Sequence, residues 1–312
     1  MKIVTLTVNP SIDKSTTVTD IIPEQKLRCD TPLFQPGGGG INVSRAINKI
    51  GGDSLAVYLA GGGTGELLTK LIAEEGVKCK VIQQADRTRE NFIVVDGTNQ
   101  QYRFGMPGTI VTATEIDEVI QVLNDLEELP EYLVLSGSLQ DTVVPDFYAK
   151  IAVDAKKKGI KVILDTVGQP FEEALKVGVY MIKPNLHELF DMAGYPEIVP
   201  GKYPEIARQM IADGKAEVMV ISKGSQGASM VTKDGHFTVV PPATPCRSTV
   251  GAGDSMVGGI VLGLSQGLGF QKALQLGVAT GTAATMNEGT SLCKKEDVDQ
   301  IIAYFKSQDL EA

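Results

Sequence analysis

Residues 248–255 read Ser-Thr-Val-Gly-Ala-Gly-Asp-Ser, after a strand-like segment and before a helix-like one. The glycines let backbone N–H groups converge at a helix N-terminus, where the positive end of the helix dipole favours the charge on a transferring phosphoryl group. Asp254 at the same turn can accept a proton from an attacking hydroxyl as a general base. The stretch therefore predicts an α/β unit with a phosphoryl-transfer site. The structural alternative is a glycine turn with Asp254 as a helix N-cap.

The rest of the chain alternates short apolar runs with amphipathic stretches. Tyr132 to Ser136 and Lys161 to Asp165 have the pattern of buried strands, while Phe147 to Lys158 has that of a helix. Such alternation is typical of an α/β fold, a central and mostly parallel sheet flanked by helices on both faces. The 312 residues correspond to about two average domains, but single α/β domains of this size are common. We predict one domain over 1–312.

Two regions break this alternation, at about residues 14–34 and 88–106. Both alternate polar and apolar residues with no helix between them, and the second has a turn signal at Asp96-Gly97. This pattern predicts a one-sided sheet inserted between the α/β units, in which these discontinuous segments form a small β-sheet lid. One face of such a lid needs a partner, either a ligand or another subunit.

The charge and cysteine content exclude several classes of protein. A net charge of −9 with no run of Lys or Arg disfavours binding to nucleic acid. The four cysteines are widely separated and only two histidines accompany them, so zinc has no plausible ligand set. The amino terminus lacks the apolar stretch of a signal peptide, and the longest glycine-rich apolar stretch, 256–264, is far shorter than the ~20 residues of a membrane span. We expect a cytoplasmic protein with no membrane partner.

A glycine-rich stretch is the second candidate ligand site. Residues 37–45 read Gly-Gly-Gly-Gly-Ile-Asn-Val-Ser-Arg, which matches neither the P-loop nor the dinucleotide-binding signature. Four consecutive glycines cost conformational entropy on folding, which favours a close approach of backbone to ligand over a bare flexible turn. Asn42 would offer a polyol both a donor and an acceptor, and Asp13 could accept two sugar hydroxyls, although Asp13 also fits a simple turn.

Cations and oxygen ligands complete the candidate site. Arg89 and Arg103 lie on the two predicted strands of the second lid segment, and Lys26 lies on the first segment. Guanidinium groups suit a phosphorylated substrate, while the alternative for any one of them is a solvated face. Asn185 and Glu188 are three residues apart on a predicted helix, so they offer Mg²⁺ two oxygen ligands or else form a capping arrangement.

Four blocks together resemble the ribokinase-like, phosphofructokinase B-type family of carbohydrate kinases: Asn9 to Asp13, Pro36 to Arg45, Lys183 to Asn185 and Thr249 to Asp254. The resemblance spans almost the whole chain and implies a ribokinase-like fold and ATP-dependent phosphorylation of a sugar phosphate. Four further segments are most similar to members that use fructose 6-phosphate: Pro23 to Cys29, Thr88 to Asn91, Tyr102 to Gly108 and Asn287 to Cys293. Relatives that use tagatose 6-phosphate or fructose 1-phosphate share the catalytic blocks and are the alternatives.

The resemblance also implies roles for individual residues. Asp254 is expected to be the base that activates the sugar C1 hydroxyl, and Gly251, Ala252 and Gly253 to form the anion hole for the γ-phosphoryl group. The residues expected to bind the sugar phosphate are Asp13, Lys26, Gly38, Gly39, Asn42, Arg89, Arg103 and Ser138. Of these, Lys26 is expected to reach over from a partner subunit.

The nucleotide and its metal ions are assigned in the same way. The residues expected at the ATP site are Lys183, Asn185, Ser222, Gly224, Gly227, Thr249 and Thr282. Asn185 and Glu188 are expected to organise Mg²⁺ through water. A monovalent cation, usually potassium, is expected to bind mostly to backbone carbonyls at Ser248, Val250, Ala284, Asn287, Gly289 and Ser291.

In such relatives two lids pack together, which implies a homodimer through the lid sheets. Three positions depart from the family pattern: Gln140-Asp141-Thr142 replaces Pro-Pro-Gly, Cys246 stands where serine is common, and Ile22 replaces an aromatic residue. Two alternatives remain open. One is a sugar-phosphate sensor without catalysis, and the other is a nucleoside kinase, which would leave the lid arginines without a phosphate to bind.

Overall fold

Thirteen β-strands and ten α-helices alternate along residues 1–311, the part of the chain that the computed structural model describes, with side chains described for residues 1–308. The strands are β1 (Ile3–Thr7), β2 (Ser11–Thr17), β3 (Leu33–Gly37), β4 (Leu55–Ala60), β5 (Lys78–Gln83), β6 (Arg89–Val95), β7 (Gln101–Phe104), β8 (Tyr132–Ser136), β9 (Lys161–Asp165), β10 (Val179–Ile182), β11 (Ala216–Ser222), β12 (Ala228–Thr232) and β13 (His236–Val239). The helices are α1 (Gly39–Lys49), α2 (Gly62–Glu74), α3 (Ala113–Asn124), α4 (Phe147–Lys157), α5 (Gln169–Val177), α6 (Leu186–Met192), α7 (Tyr203–Ala212), α8 (Ala252–Ser265), α9 (Gly269–Thr285) and α10 (Lys295–Glu311). Within residues 1–311, no helix combines the length and apolarity needed to cross a bilayer.

Nine strands form one sheet in the order β13-β12-β11-β10-β9-β8-β1-β4-β5. Neighbouring strands are parallel from β11 to β5, and only the β12–β13 hairpin at one edge is antiparallel to its neighbours. All five residues of β1 are buried, because helices cover both faces of the sheet and a central strand has no exposed side. The predicted α/β class with a mostly parallel sheet is confirmed.

Two apolar cores lie on opposite faces of this sheet. Alternate residues of β1 divide between them, with Val4 and Leu6 facing α3 to α7 and Ile3 facing α1 and α8 to α10. Helices α8 and α9 approach closely because glycines meet at their contact. A Cβ added to Gly259 would lie 2.8 Å from the Cα of Gly277. This packing fixes the position of the first turn of α8, at the carboxyl ends of the strands.

A separate sheet, called the lid below, has the strand order β3-β2-β6-β7. Strands β2 and β6 are parallel, the outer pairs are antiparallel, and the predicted turn at Asp96-Gly97 joins β6 to β7. The first lid segment differs from the prediction, because strands form at 11–17 and 33–37 while 18–32 is irregular apart from a bridge between Val18 and Cys29. Ile21 and Ile22 are exposed there, since their alternating pattern has no neighbouring strand to pair with.

The outer face of the lid carries a row of aromatic side chains around an ion pair between Lys14 and Glu90, whose nitrogen and oxygen are 2.7 Å apart. Aligned side chains on the outer face form a row across all four strands in the order Phe34, Lys14, Phe92 and Phe104. The Lys14 ammonium lies 5.2 Å and 5.5 Å from the ring centroids of Phe34 and Phe92. The three rings are 37%, 38% and 49% exposed, which is unusual for a contiguous aromatic row on a monomer.

Candidate active site

A cleft of about 590 Å³ lies between the lid and the carboxyl ends of the main-sheet strands. Ligands of open α/β sheets bind at this edge because the loops that follow parallel strands converge there. One part of the cleft is lined from the lid, α1 and the loop after β8 by Ser11, Asp13, Gly38, Gly39, Asn42, Arg89, Asn91, Ser136, Gly137 and Ser138. The other part is lined from the loops after β9 and β10 and from α5 and α6 by Thr166, Val167, Gly168, Phe171, Glu172, Pro184, Asn185, Glu188, Asp191 and Met192. Asp165, Lys183 and Asp254 connect the two parts.

Asp254 is the third residue of α8 and points into the cleft. The N-cap of α8 is Gly251, in the left-handed conformation with φ of 73°, so the alternative of Asp254 as the N-cap is wrong. Burial raises the pKa of Asp254 from its ordinary 3.8 to about 6, and the negative charge of Asp165 adds to this, while the Asn42 amide and Lys183 oppose it. At neutral pH the carboxylate is therefore ionised and more basic than an ordinary aspartate.

Lys183 supplies the cation beside this carboxylate. Its side chain is 10% exposed, and its ammonium lies 3.5 Å from Oδ1 of Asp165. Burial alone would lower the pKa of Lys183, but Asp165 and Asp254 together raise it, so the ammonium stays charged. A Cβ on Gly253 would lie 3.2 Å from the Lys183 nitrogen. The absence of a side chain at Gly253 therefore allows the ammonium to approach the first turn of α8 closely.

The glycine-rich stretch forms the floor of the cleft where α1 begins. Gly38 has φ of +113°, a conformation that side-chain-bearing residues rarely adopt. A Cβ on Gly39 would lie 2.2 Å from Oγ of Ser136, so only glycine fits there. Asn42 follows on the first turn of α1, and its Nδ2 donates to Oδ2 of Asp254 at 2.9 Å. The backbone at Gly38 and Gly39 is thus exposed to the cleft without side chains, as the glycine-rich stretch predicts.

Asp13 projects from the lid into the same part of the cleft and is 7% exposed. Its Oδ1 accepts hydrogen bonds from Ser11 Oγ at 2.9 Å and from Asn91 Nδ2 at 3.0 Å. Asn91 Oδ1 in turn accepts from the backbone N–H of Met106 at 3.1 Å. These contacts hold the Asp13 carboxylate in one orientation, with Oδ2 remaining for a ligand hydroxyl.

Arg89 and Arg103, both expected to bind the sugar phosphate, lie at different places. Arg89 lines the cleft, and its Nη1 and Nη2 donate to the backbone carbonyls of Met106 at 2.9 Å and Asn9 at 3.1 Å. Ser138 lies nearby and accepts from Asn9 Nδ2 at 3.2 Å. Arg103 is exposed, and its Nη2 instead donates to Oγ1 of Thr249 at 2.9 Å. The strand register accounts for this separation, because Arg103 lies opposite Ile93, four residues along β6 from Arg89.

Lys26 is exposed in the irregular segment 18–32 and does not line the cleft of its own chain. Asn185 and Glu188 do line the cleft, and they also form a reciprocal capping box at the start of α6. The backbone N–H of Glu188 donates to Asn185 Oδ1, and that of Asn185 donates to Glu188 Oε2, both at 2.9 Å. The capping alternative is therefore correct for one oxygen of each side chain, and Glu188 Oε1 remains for a water or a metal ion.

The whole constellation can be compared with proteins of known function. A family model described as the pfkB family carbohydrate kinase matches residues 7–297. The chain belongs to the pfkB family of carbohydrate kinases. It is 40% identical to the ATP-dependent 6-phosphofructokinase isozyme 2 of Escherichia coli, over 98% of this chain and 99% of the relative. It is 30% identical to the 1-phosphofructokinase of Bacillus subtilis, over 97% of this chain and 98% of the relative.

Solved structures agree with this membership of the pfkB family. The crystal structure of phosphofructokinase-2 from E. coli in complex with potassium has a TM-score of 0.93 at 40% identity, covering 98% of this chain and 99% of that one. The fold is shared with an Arabidopsis thaliana ribokinase, with a TM-score of 0.75 at 18% identity and coverage of 96% and 98%. The predicted ribokinase-like fold and family resemblance are confirmed.

Of the remaining positions named for the nucleotide by analogy with pfkB kinases, one lines the cleft and four lie outside its lining. Ser222 lines the cleft and forms a bridge with Asn185. Gly224 and Gly227 flank the 3₁₀ turn that follows, where a Cβ on Gly227 would lie 2.0 Å from the carbonyl oxygen of Val239. Thr249 immediately precedes the α8 turn, and Thr282 lies on α9 next to Gly281, which packs on the carbonyl of Ala252.

The two loops named for a monovalent cation lie side by side. The backbone N–H groups of Arg247 and Ser248 donate to the carbonyl of Thr285 at 2.7 Å and 3.2 Å, which joins the loop containing Ser248 and Val250 to the loop after Ala284. The second loop, 287–291, contains Asn287, Gly289 and Ser291 and is called the cation loop below. Gln35 of the lid fixes it, accepting from Thr290 N at 2.9 Å and donating to Ser291 Oγ at 2.8 Å.

A buried oxygen in the cation loop fits the expected ion. Among the described residues, Thr290 Oγ1 is buried without a hydrogen-bond partner, while Ser248 and Asn287 are 4% and 8% exposed. Buried oxygen atoms that lack donors are the ligands that hard cations such as K⁺ accept. The residues present are therefore suited to a monovalent cation.

Reasoning from the sequence missed several residues of the cleft, among them Asp165, Ser136 and Asn91. Asp165 and Ser136 lie opposite each other at the carboxyl ends of two parallel strands, and that position alone could have singled them out. Asn91 gave no such signal, because an amide in an alternating strand is common on surfaces. Only pairing of β2 with β6 brings it into the site.

Proposed function

We propose that this protein is an ATP-dependent 6-phosphofructokinase, which transfers the γ-phosphoryl group of ATP to the C1 hydroxyl of fructose 6-phosphate. The observation that carries the proposal is the position of Asp254, a partly buried carboxylate with a raised pKa at the first turn of α8, between the two parts of one cleft. The full-length similarity to a 6-phosphofructokinase supports the choice of substrate.

The sugar phosphate occupies the part of the cleft beneath the lid. Asp13 accepts hydrogen bonds from sugar hydroxyls, and the backbone at Gly38 and Gly39 allows the ring to approach α1 closely. Arg89 is a fixed cation for the phosphate, because three backbone carbonyls already hold its guanidinium. Ser138 offers a hydroxyl beside it.

The chemical step is a direct, in-line transfer. Asp254 takes the proton of the C1 hydroxyl, the oxygen attacks the γ-phosphorus, and the bond from that phosphorus to the β,γ-bridging oxygen breaks, so that ADP leaves with the electron pair. The N–H groups at Gly251, Ala252 and Gly253, with the Lys183 ammonium beside them, stabilise the charge on the transferring group. No covalent enzyme intermediate is required.

The nucleotide occupies the other part of the cleft, with Lys183, Asn185 and Ser222 along its wall and Gly224, Gly227, Thr249 and Thr282 at its rim. Mg²⁺ bound to ATP neutralises phosphate charge, and Asn185 and Glu188 would hold its water ligands. A potassium ion would bind at the cation loop through the carbonyls of Val250 and Ala284 and the oxygens of Ser248, Asn287, Gly289 and Ser291. The E. coli relative's potassium complex supports this expectation.

The lid completes the site and provides the contact between subunits. The row of Phe34, Lys14, Phe92 and Phe104 is apolar enough to pack against the same row of a second copy in a homodimer. In such a dimer Lys26 of the irregular segment would reach the neighbouring cleft. The Arg103–Thr249 hydrogen bond ties the lid to the α8 turn, which excludes water that would otherwise hydrolyse ATP. A cytoplasmic location stays a prediction.

One experiment tests the assignment. ADP release is measured with Mg²⁺-ATP and K⁺ for fructose 6-phosphate, fructose 1-phosphate, tagatose 6-phosphate and fructose, and kcat/KM is ranked. A preference for fructose 6-phosphate supports the proposal. A preference for another sugar phosphate, which the similarity to a 1-phosphofructokinase makes the second candidate, keeps the chemistry and changes the substrate.

The variant Asp254→Asn tests the role of the base. It is expected to lose about 10²-fold or more in kcat, because general-base catalysis contributes that much. Retention of more than about a tenth of the activity would contradict the role of Asp254. Tight binding of a sugar phosphate by the wild-type protein with no turnover of any substrate would instead favour the sensor.

A further inference from the structure

Arg45 is a buried cation that none of the steps above uses. It lies on α1, and its side chain is 1% exposed. Its Nη2 and Nε donate to the two carboxylate oxygens of Glu75 at 2.6 Å and 3.0 Å. Its Nη1 donates to the carbonyl of Pro36 at 2.9 Å and to Oδ1 of Asn42 at 3.0 Å. A guanidinium is costly to bury, so four specific hydrogen bonds suggest a role beyond packing.

The contact with Asn42 decides how the amide of that residue is oriented. Asn42 and Arg45 are three residues apart and share one face of α1. The guanidinium has donors and no acceptor, so the atom of Asn42 that faces it must be the oxygen. The amide nitrogen must then face the other way, where Nδ2 donates to Oδ2 of Asp254 at 2.9 Å. Without Arg45, the amide could rotate and turn its oxygen toward the carboxylate.

We propose that Arg45 is a positioning residue for phosphoryl transfer. Through Asn42 it holds an N–H donor against Oδ2 of Asp254 and leaves Oδ1 as the proton acceptor. Glu75 fixes the guanidinium from the other side, with Lys49 at 3.7 Å as its second cation. The inference rests on the proposed role of Asp254 as the base.

The orientation of Asn42 has a consequence for pH dependence. Three charged groups face Asp254 from other elements: Asp165 at the end of β9, Lys183 after β10 and Asp13 on β2. A change at Arg45 leaves all three in place. A hydrogen bond to a carboxylate favours its ionised form, so loss of the Asn42 donor raises the pKa of Asp254. At low pH a smaller fraction of Asp254 is then ionised and able to act as the base.

The test is the pH profile of kcat/KM for fructose 6-phosphate in Arg45→Lys, with Arg45→Met as a second variant. Lysine keeps a cation for Glu75 but lacks the fork that reaches Asn42 at the same time, and methionine has no donor. We expect the acidic limb of the pH profile to move to higher pH by about one unit. This shift lowers kcat/KM about fivefold at pH 6 and changes it little at about pH 8.5. Ionisation of the substrates affects all variants equally and cancels in the comparison.

Two controls separate positioning from stability. Ile72→Val removes one methylene group from the core cluster that also contains Ile41 of α1. It should lower stability and leave the pH profile of kcat/KM unchanged. Asn42→Ala should move the acidic limb by itself, and Arg45→Lys should then add no further shift in the Asn42→Ala background. Circular dichroism and thermal unfolding verify that each variant is folded.

Two results would overturn the inference. One is a loss of activity in Arg45→Lys and Arg45→Met by the same factor at every pH. The other is a shift of the limb that persists in the Asn42→Ala background. Failure of the proposed function is recognised separately, because the wild type would then not turn over fructose 6-phosphate, and failure of the base role alone would leave Asp254→Asn active whatever the Arg45 variants do.

Discussion

Asp254→Asn should make the protein more stable at neutral and alkaline pH while abolishing turnover. The pKa of Asp254 is raised by burial from 3.8 to about 6, so the folded state holds an ionised carboxylate only at a cost. A rise of about two pKa units corresponds to about 3 kcal/mol, which is an upper bound on the gain. This shift already includes the opposing attraction of Lys183, and relaxation around the new amide keeps the gain below the bound, so we expect about 2 kcal/mol.

The sign of this effect depends on pH. A carboxyl group whose pKa is raised on folding contributes most to stability below its unfolded pKa of 3.8, and the contribution is lost as the pH rises through about 6. The variant and the wild type should therefore unfold at the same temperature near pH 4, and the variant should gain as the pH rises. For 312 residues, about 2 kcal/mol corresponds to roughly 3 °C in Tm.

Differential scanning calorimetry without ligands, at one protein concentration and from about pH 4 to pH 8, measures this difference. Asp234→Asn is the matched control, because that side chain is 78% exposed and its loss should change stability by less than about 0.5 kcal/mol. A variant that is no more stable than the wild type at about pH 8, or whose gain does not change with pH, would refute the reasoning about desolvation of Asp254.

Three further changes test other parts of the structure. Phe92→Glu should dissociate the proposed homodimer, because it places a charge in the exposed aromatic row of the lid; sedimentation measures the mass, and an unchanged mass would exclude the lid interface. Gly39→Ala should raise the KM for the sugar phosphate about tenfold or more, because its Cβ would lie 2.2 Å from Ser136 Oγ, whereas Gly63→Ala, with open space around it, should leave KM unchanged. Gln35→Leu should raise the K⁺ concentration that gives half-maximal activity, because the cation loop loses two hydrogen bonds; an unchanged K⁺ titration would separate Gln35 from that loop.

The fold class could be predicted from the sequence because burial imposes a local pattern. Strands such as β8 and β9 are continuous apolar runs, since both faces of a parallel sheet are covered, and helices such as α4 repeat apolar residues on one side. The lid was harder to predict, because an alternating pattern identifies a strand only where another strand pairs with it. Residues 18–32 carry that pattern and stay irregular for this reason.

The candidate site was predictable where its chemistry needs a local motif. The glycines and Asp254 at the start of α8 belong to one turn, and so do Gly38, Gly39 and Asn42 at the start of α1. For Arg103 the sequence indicated the lid strand on which the side chain lies but not the element that this strand faces. Its contact with Thr249 depends on how the lid sits over α8.

The sequence alone therefore predicts which residues form the candidate site, because a glycine turn at a helix N-terminus and a buried strand are products of near neighbours in the chain. The electrostatics of that site depend on the tertiary structure. The raised pKa of Asp254 and the charge of Lys183 depend on groups at the ends of β9 and β10 and on the first turn of α8, and the Asn42 donor reaches Asp254 from α1. Desolvation and Coulomb interactions act through space, so their strength is set by the distances that folding creates and not by separation along the chain.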